Sequence, residues 1–217
     1  MSPGLDTRLL AVLGPPWVDG PPWAATRFLS AAEAADAGGV TAVQVRVPTA
    51  SSSALLQITE NLVRRLTVPV YVNNRVDVAL AARASGVHLG ADDLDPRRVR
   101  EIVPTDFQIG VSVGDRTEAE SVAGAEVNYW SIGSVYATST KPDAGAPIGP
   151  EGFRRLARLA PHDMAVIAIG GIDRSNIAEI LAAGANGVAV SRAVFGEAQI
   201  EAAARALREI VDGGVGV

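Results

Sequence analysis

Leu9-Leu10-Ala11-Val12-Leu13-Gly14-Pro15-Pro16-Trp17 is the stretch that decides the fold. Its five apolar residues make a buried-strand run, yet Gly14-Pro15-Pro16-Trp17 is not the glycine-rich turn that opens a doubly wound, dinucleotide-binding sheet. Prolines stiffen the chain, so 14–23 reads as a rigid first βα loop, in which Gly-Pro-Pro-Trp occurs twice, at 14–17 and 20–23. A Trp in such a loop either stacks on a planar ligand or packs against a neighbouring helix. Outward from this point, strand-like runs recur at 42–47, 70–73, 86–89, 108–113, 129–135, 165–169 and 187–190. Helix candidates fall between them, near 23–37, 52–66, 75–84, 95–102, 116–124, 150–160, 175–183 and 197–212. Cap residues mark several helix starts: the serines at 51–53, Asp95 before Pro96, Asp115 ahead of Glu118, and Asp173 to Ser175. Eight βα pairs in 217 residues predict an α/β protein, a single-domain (β/α)8 TIM barrel over 1–217.

Composition narrows the function classes. A net charge of −5 offers no basic surface for nucleic acid, so any phosphate must be held by local groups. The absence of cysteine excludes disulfides, thiolate metal sites and a Cys nucleophile. Nothing between Met1 and Arg8 resembles a signal peptide, and no run reaches the length of a membrane span. The expectation is a soluble, cytoplasmic protein without nucleic-acid or membrane partners.

A barrel's chemistry sits where strands feed βα loops. In this chain those positions are polar one after another: Gln44 and Arg46; Asn73 and Asn74; His88 with Asp92 and Asp93; Ser112; Thr138, Thr140 and Lys141; Gly170-Gly171; Ser191-Arg192. Gln44 and Arg46 alternate with Val43, Val45 and Val47, which places both on one face of their strand. A guanidinium there pairs either with phosphate oxygens or with a structural carboxylate. Asp92 and Asp93 are either oxygen ligands for Mg²⁺ or caps of the helix near Pro96. Glycines 170 and 171 let backbone N–H groups approach a phosphate. Hydroxyls and an ammonium in 138–141, on a loop (136–149) that reads as an active-site lid, suit a phosphorylated ligand.

These stretches together resemble the thiamine-phosphate synthase and thiazole tautomerase family. The matching segments are 43–46, 72–80, 86–93, 109–113, Thr138-Ser139-Thr140-Lys141, 168–172 and 184–190, in order along nearly the whole chain. The resemblance implies an enzyme of thiamine biosynthesis that joins an aminopyrimidine diphosphate to a thiazole phosphate and releases pyrophosphate. In the family's mechanism the diphosphate departs first and the thiazole nitrogen captures the pyrimidine carbocation. By position, Ser112 and Lys141 hold the diphosphate with Gln44 and Asn73; Ser112 and Lys141, with Arg46 read from its strand face, are the expected catalytic residues. Asp93 binds Mg²⁺, and Asn74 is a further substrate-binding candidate beside Asn73. Thr138 and Thr140 meet the thiazole partner, whose phosphate falls to Gly171, Ser191 and Arg192. Small phosphorylated substrates and a homo-oligomer are the expected partners.

The chain departs from the family pattern at four places. Pro48 stands where a lysine usually follows the Gln-x-Arg element, Asn74 where a metal-binding Asp is usual, and Ala91 where a Gln is usual. The tautomerase branch carries a catalytic His after the Ser-Val of strand five, where this chain has Gly114. The alternatives to a synthase are therefore a tautomerase-like isomerase and a non-catalytic barrel that binds thiazole phosphate.

Overall fold

A computed structural model describes residues 6–18, 25–140 and 145–214 of the chain. Lys141 and Trp23 lie outside the described residues. The elements run β1 (Leu9–Leu13), α1 (Ala25–Ala37), β2 (Ala42–Val45), α2 (Ser52–Arg65), β3 (Val70–Asn73), α3 (Val76–Ala81), β4 (Gly86–Leu89) and α4 (Pro96–Ile102). They continue with β5 (Gln108–Val113), α5 (Arg116–Val122), β6 (Tyr129–Ile132), α6 (Gly149–Ala157), β7 (Ala165–Ile169), α7 (Ile177–Ala182), β8 (Gly187–Val190), α8 (Arg192–Phe195) and α9 (Ile200–Gly214). All strands are parallel, each pairs with its sequence neighbour, and β8 closes on β1. The predicted barrel is the observed one.

Alternation along the strands explains the two cores. Leu9, Ala11 and Leu13 face the helices, whereas Leu10 and Val12 face the lumen with Ala42, Tyr71, Tyr129, Ile167 and Ala189. The large lumen rings need absent side chains beside them. At Gly110 a Cβ would sit 2.0 Å from Tyr129 Cζ, so glycine is what admits that ring. Outside, α9 covers the barrel with Ala204, Leu207 and Val211, all fully buried and spaced for one helical face. Removing each such side chain from water is worth ~1.5–3 kcal/mol for the larger ones.

Helix starts follow their caps. Ser51 Oγ accepts from Ala54 N at 3.3 Å, Asp95 from Arg97 N at 2.8 Å, and Asp115 from Glu118 N at 2.9 Å. Asp173 differs: it accepts from Ser175 in a turn upstream, and Asn176 is the residue at the start of α7. Two strands end earlier than their apolar runs suggest. β2 stops at Val45, leaving Arg46 just past it, and β6 stops at Ile132. The short helix α8 has no counterpart among the predicted elements, because four residues carry no readable periodicity.

Candidate active site

At the C-terminal ends of the strands, the lumen changes from apolar to polar. The strand registers set Asn73 opposite His88 and Ser112 opposite Ser131, one step beyond Tyr71 and Tyr129. Gln44, buried on β2, donates from Nε2 to Asn73 Oδ1 at 2.9 Å, and Asn73 Nδ2 donates onward to Asn74 Oδ1. Asn74 holds a positive φ of 66°, a conformation Asn tolerates better than most residues. These linked amides fix the orientation of three side chains across β2 and β3.

A second chain crosses β4, β5 and β6. The imidazole of His88 lies between two hydroxyls, with Nδ1 3.0 Å from Tyr129 Oη and Nε2 3.0 Å from Ser112 Oγ. Its ring stacks on Tyr129 at 5.7 Å, and Tyr71 meets Tyr129 edge-on at 6.0 Å. Burial, and secondarily Tyr71, pushes the Tyr129 phenol well above its ordinary value, so it stays neutral. Ser112 is thereby held at the cavity wall by a buried, rigid support.

Charge collects at the rim. Arg46 lines the cavity and has no ion-pair partner among the described residues, so the structural Arg–carboxylate pairing is not observed. Arg192 approaches Asp173 at 3.8 Å with both side chains partly exposed. Asp173 is held below the usual carboxylate range by the hydroxyl and N–H of Ser175, with Arg192 adding to it. On the other side, Asp93 Oδ2 accepts the Gly90 N–H at 2.6 Å, and Asp95 is the residue that caps α4. Asp93 is therefore not spent as a helix cap.

The predicted residues converge. Gln44, Arg46, Asn73, Asn74, Asp93 and Ser112 all line one cavity of about 600 Å³, and so do Thr138, Thr140, Gly171, Ser191 and Arg192. Asp92 lines it too, from an exposed position. The two glycines have a packing role besides any ligand. A Cβ on Gly170 would lie 2.0 Å from Ser134 Oγ, and one on Gly171 2.5 Å from Ala137 O. Both have positive φ, 100° and 64°, and seat the loop after β6 against the end of β7. Tyr136 secures the same loop by donating to Glu179 at 2.8 Å; burial first, then this bond, pushes its phenol up to about 12.

Sequence reading missed Ser131, Ser134 and Glu118, which also line the cavity. Ser131 was readable, since it alternates with Tyr129 on β6. Glu118 had a signal as well, being three residues after the Asp115 cap. Its Oε2 accepts the N–H of Gly114, the residue before that cap, at 2.6 Å.

Comparison with known proteins meets this geometry. The thiamine monophosphate synthase family model matches residues 18–194. The chain belongs to that family. It is 41% identical to the thiamine-phosphate synthase of Chloroflexus aurantiacus, over 82% of this chain and 83% of that protein. The thiamine-phosphate synthase of Azorhizobium caulinodans is 42% identical over 85% of this chain and 88% of its own length. Among solved structures, thiamine phosphate pyrophosphorylase from Pyrococcus furiosus superposes with a TM-score of 0.83 at 31% identity, covering 98% of each chain. Within the family, the polar lumen and its charged rim are where a thiamine monophosphate synthase site is expected on this barrel.

Proposed function

We propose that this chain is a thiamine-phosphate synthase, joining an aminopyrimidine diphosphate to a thiazole phosphate with release of pyrophosphate. The observation that carries the reading is the convergence of hydroxyls, amides, two arginines and Asp93 on one cavity, in a chain of this family. In the reaction the C–O bond to the diphosphate breaks and the leaving group takes the electron pair. The thiazole nitrogen then donates its lone pair to the pyrimidine methylene, forming the C–N bond of a thiazolium. Catalysis needs donors and positive charge around the departing diphosphate more than it needs a base.

The residues divide accordingly. Gln44, Asn73 and Ser112 bind the diphosphate and its pyrimidine, with Arg46 as the nearby cation and Lys141 as the catalytic ammonium. The support behind Ser112, from His88 and Tyr129, keeps its hydroxyl in place without reorganisation when charge develops. Thr138 and Thr140 bind the thiazole partner, and the Gly171 backbone, Ser191 and Arg192 bind its phosphate. A loop over the site would exclude water, which would otherwise capture the cation.

Magnesium fits this donor set in one way only. No group of three or more His, Asp or Glu side chains suited to a metal occurs among the described residues. A dedicated protein cage is thus not what these residues make. Mg²⁺ is commonly held by one or two carboxylates together with substrate phosphates. Asp93, with Asn74 as a neutral oxygen donor, matches that pattern. When bound with diphosphate, the ion supplies charge neutralisation of the leaving group.

The test is to mix both substrates with the protein, with and without Mg²⁺, and measure thiamine phosphate and pyrophosphate. The expected result is equal amounts of both products, dependent on Mg²⁺. Thiazole phosphate binding with no product would overturn the synthase reading.

A further inference from the structure

Trp17 lies outside the cavity lining yet touches a residue within it. Its indole Nε1–H donates to Thr140 Oγ1 at 3.3 Å, across 123 residues of sequence. The root of its loop is fixed on β2: Arg46 N donates to Leu13 O at 2.8 Å, and a Cβ on Gly14 would collide with Arg46 O at 1.9 Å. Val18 N closes the turn on Gly14 O at 3.1 Å. The indole itself lies against Gly196 at the end of α8, where a Cβ would be 3.1 Å from Cε3. The Thr140 backbone N–H is occupied as well, donating to Thr138 Oγ1 at 3.2 Å.

We propose that Trp17 is a positioning residue that turns the Thr140 hydroxyl into a donor towards the thiazole phosphate substrate. An indole N–H can only donate, whereas a threonine hydroxyl both donates and accepts. With Trp17 filling an acceptor site on Oγ1, the hydroxyl proton of Thr140 is left for an acceptor elsewhere, and an anionic or lone-pair-bearing ligand in the cavity supplies one. A hydroxyl that already accepts a hydrogen bond is also a stronger donor. The described start of the first βα loop, anchored on β2 at Gly14, therefore acts on the loop after β6 without meeting the substrate. This rests on the synthase reading for Thr140's role.

Three variants separate the possibilities. Trp17→Phe keeps a ring against Gly196 and deletes the N–H, Thr140→Val deletes the hydroxyl at constant shape, and the third variant combines them. The first readout needs no ligand: the side-chain indole 1H–15N resonances of the full chain, with Trp17→Phe identifying the Trp17 signal. Thr140→Val is expected to shift that signal and speed its exchange with water, leaving that of the fully buried Trp130 unmoved. The second readout is kinetic. Trp17→Phe is expected to raise KM for thiazole phosphate by about three- to tenfold, the worth of one hydrogen bond. KM for the diphosphate substrate stays unchanged, the thermal midpoint falls by no more than about 2–4 °C, and the double variant is no worse than Thr140→Val alone. An unmoved Trp17 resonance in Thr140→Val, or a Trp17→Phe effect that adds in full to that of Thr140→Val, overturns the proposal. If the wild-type chain binds thiazole phosphate without turnover, the synthase reading fails, and calorimetric affinity for thiazole phosphate then decides the coupling in place of KM.

Discussion

Replacing Gly110 by alanine asks whether lumen packing and the hydroxyl chain behind Ser112 are one unit. The new Cβ would lie 2.0 Å from Tyr129 Cζ, 2.3 Å from Cε1 and 2.4 Å from the hydroxyl. Ordinary carbon contacts fall near 3.5–4 Å, so the ring must retreat by roughly 1.5 Å. It has nowhere to go, being fully buried, stacked on His88 and met edge-on by Tyr71. Overpacking of this kind costs about 1–3 kcal/mol. Loss of the Tyr129–His88 hydrogen bond adds about 1 kcal/mol. A total of about 3 kcal/mol lowers the thermal midpoint by about 6–12 °C in a domain of this size. Gly213→Ala is the control, since that glycine sits in α9 with no atom near its added Cβ, and helix propensity favours alanine there. Calorimetric melting of both variants provides the assay, together with turnover well below the midpoint, where Gly110→Ala is expected to lose kcat as Ser112 shifts. A Gly110→Ala protein that melts within about 2 °C of wild type would refute the reasoning.

The same geometry sets other outcomes. Asp93→Asn removes the cavity carboxylate best placed for Mg²⁺, so the Mg²⁺ concentration for half-maximal pyrophosphate release rises at least about tenfold; an unchanged titration would exclude Asp93 as a ligand. Asn74→Asp keeps the oxygen that accepts from Asn73 Nδ2 and adds a charge to the cavity that Asp93 also lines, so the same titration moves to lower Mg²⁺. Acid stability supplies a third outcome. The carboxyls of Asp6 and Asp77 are held below their ordinary value by hydrogen bonds from Arg8 and Arg75, and that of Asp173 by Ser175. A depressed folded-state value means the unfolded chain takes up the proton first, so this stability is complete above about pH 4–5 and lost as pH falls further. The pairs are partly exposed, so each contributes under about 1 kcal/mol. Melting of Asp6→Asn should differ from wild type at pH 7 and approach it as the pH falls through the depressed folded-state value of Asp6.

The strand periodicity exposed the barrel because each inward residue was legible from its neighbours: Gln44 between Val43 and Val45, Ser112 between Val111 and Val113. The same alternation overran at Arg46 and at 133–135, past the strand ends, because Arg46 N and Val135 N still donate across to Leu13 O and Ile169 O and Val135 is buried in the core. Sequence-local signals identified the caps at Ser51, Asp95 and Asp115, since a cap is a contact over two or three residues. Contacts between distant segments were not legible. Trp17 offered two readings, and only the fold brings it to Thr140. The glycines at 170 and 171 suggested a phosphate cradle, but their tightest constraint is the loop carrying Ser134 and Ala137, on a different strand.

How the site divides its charge depends on where the strands place it. Arg46 and Arg192 sit at the ends of β2 and β8, on either side of β1, while Asp92, Asp93 and Glu118 lie around the ends of β4 and β5. Two of those acids, Asp93 and Glu118, are already turned towards backbone N–H groups, of Gly90 and Gly114. The acidic side is therefore partly neutralised by the protein before any cation arrives, and the arginine side keeps Arg46 unpaired among the described residues. In a protein of net charge −5 the anions must be recruited by this local arrangement, not by the overall field. On the synthase reading, Arg46 adds a cation of the protein's own to the charge that Mg²⁺ brings to the diphosphate. Removing that guanidinium should weaken binding of the diphosphate substrate more than that of thiazole phosphate.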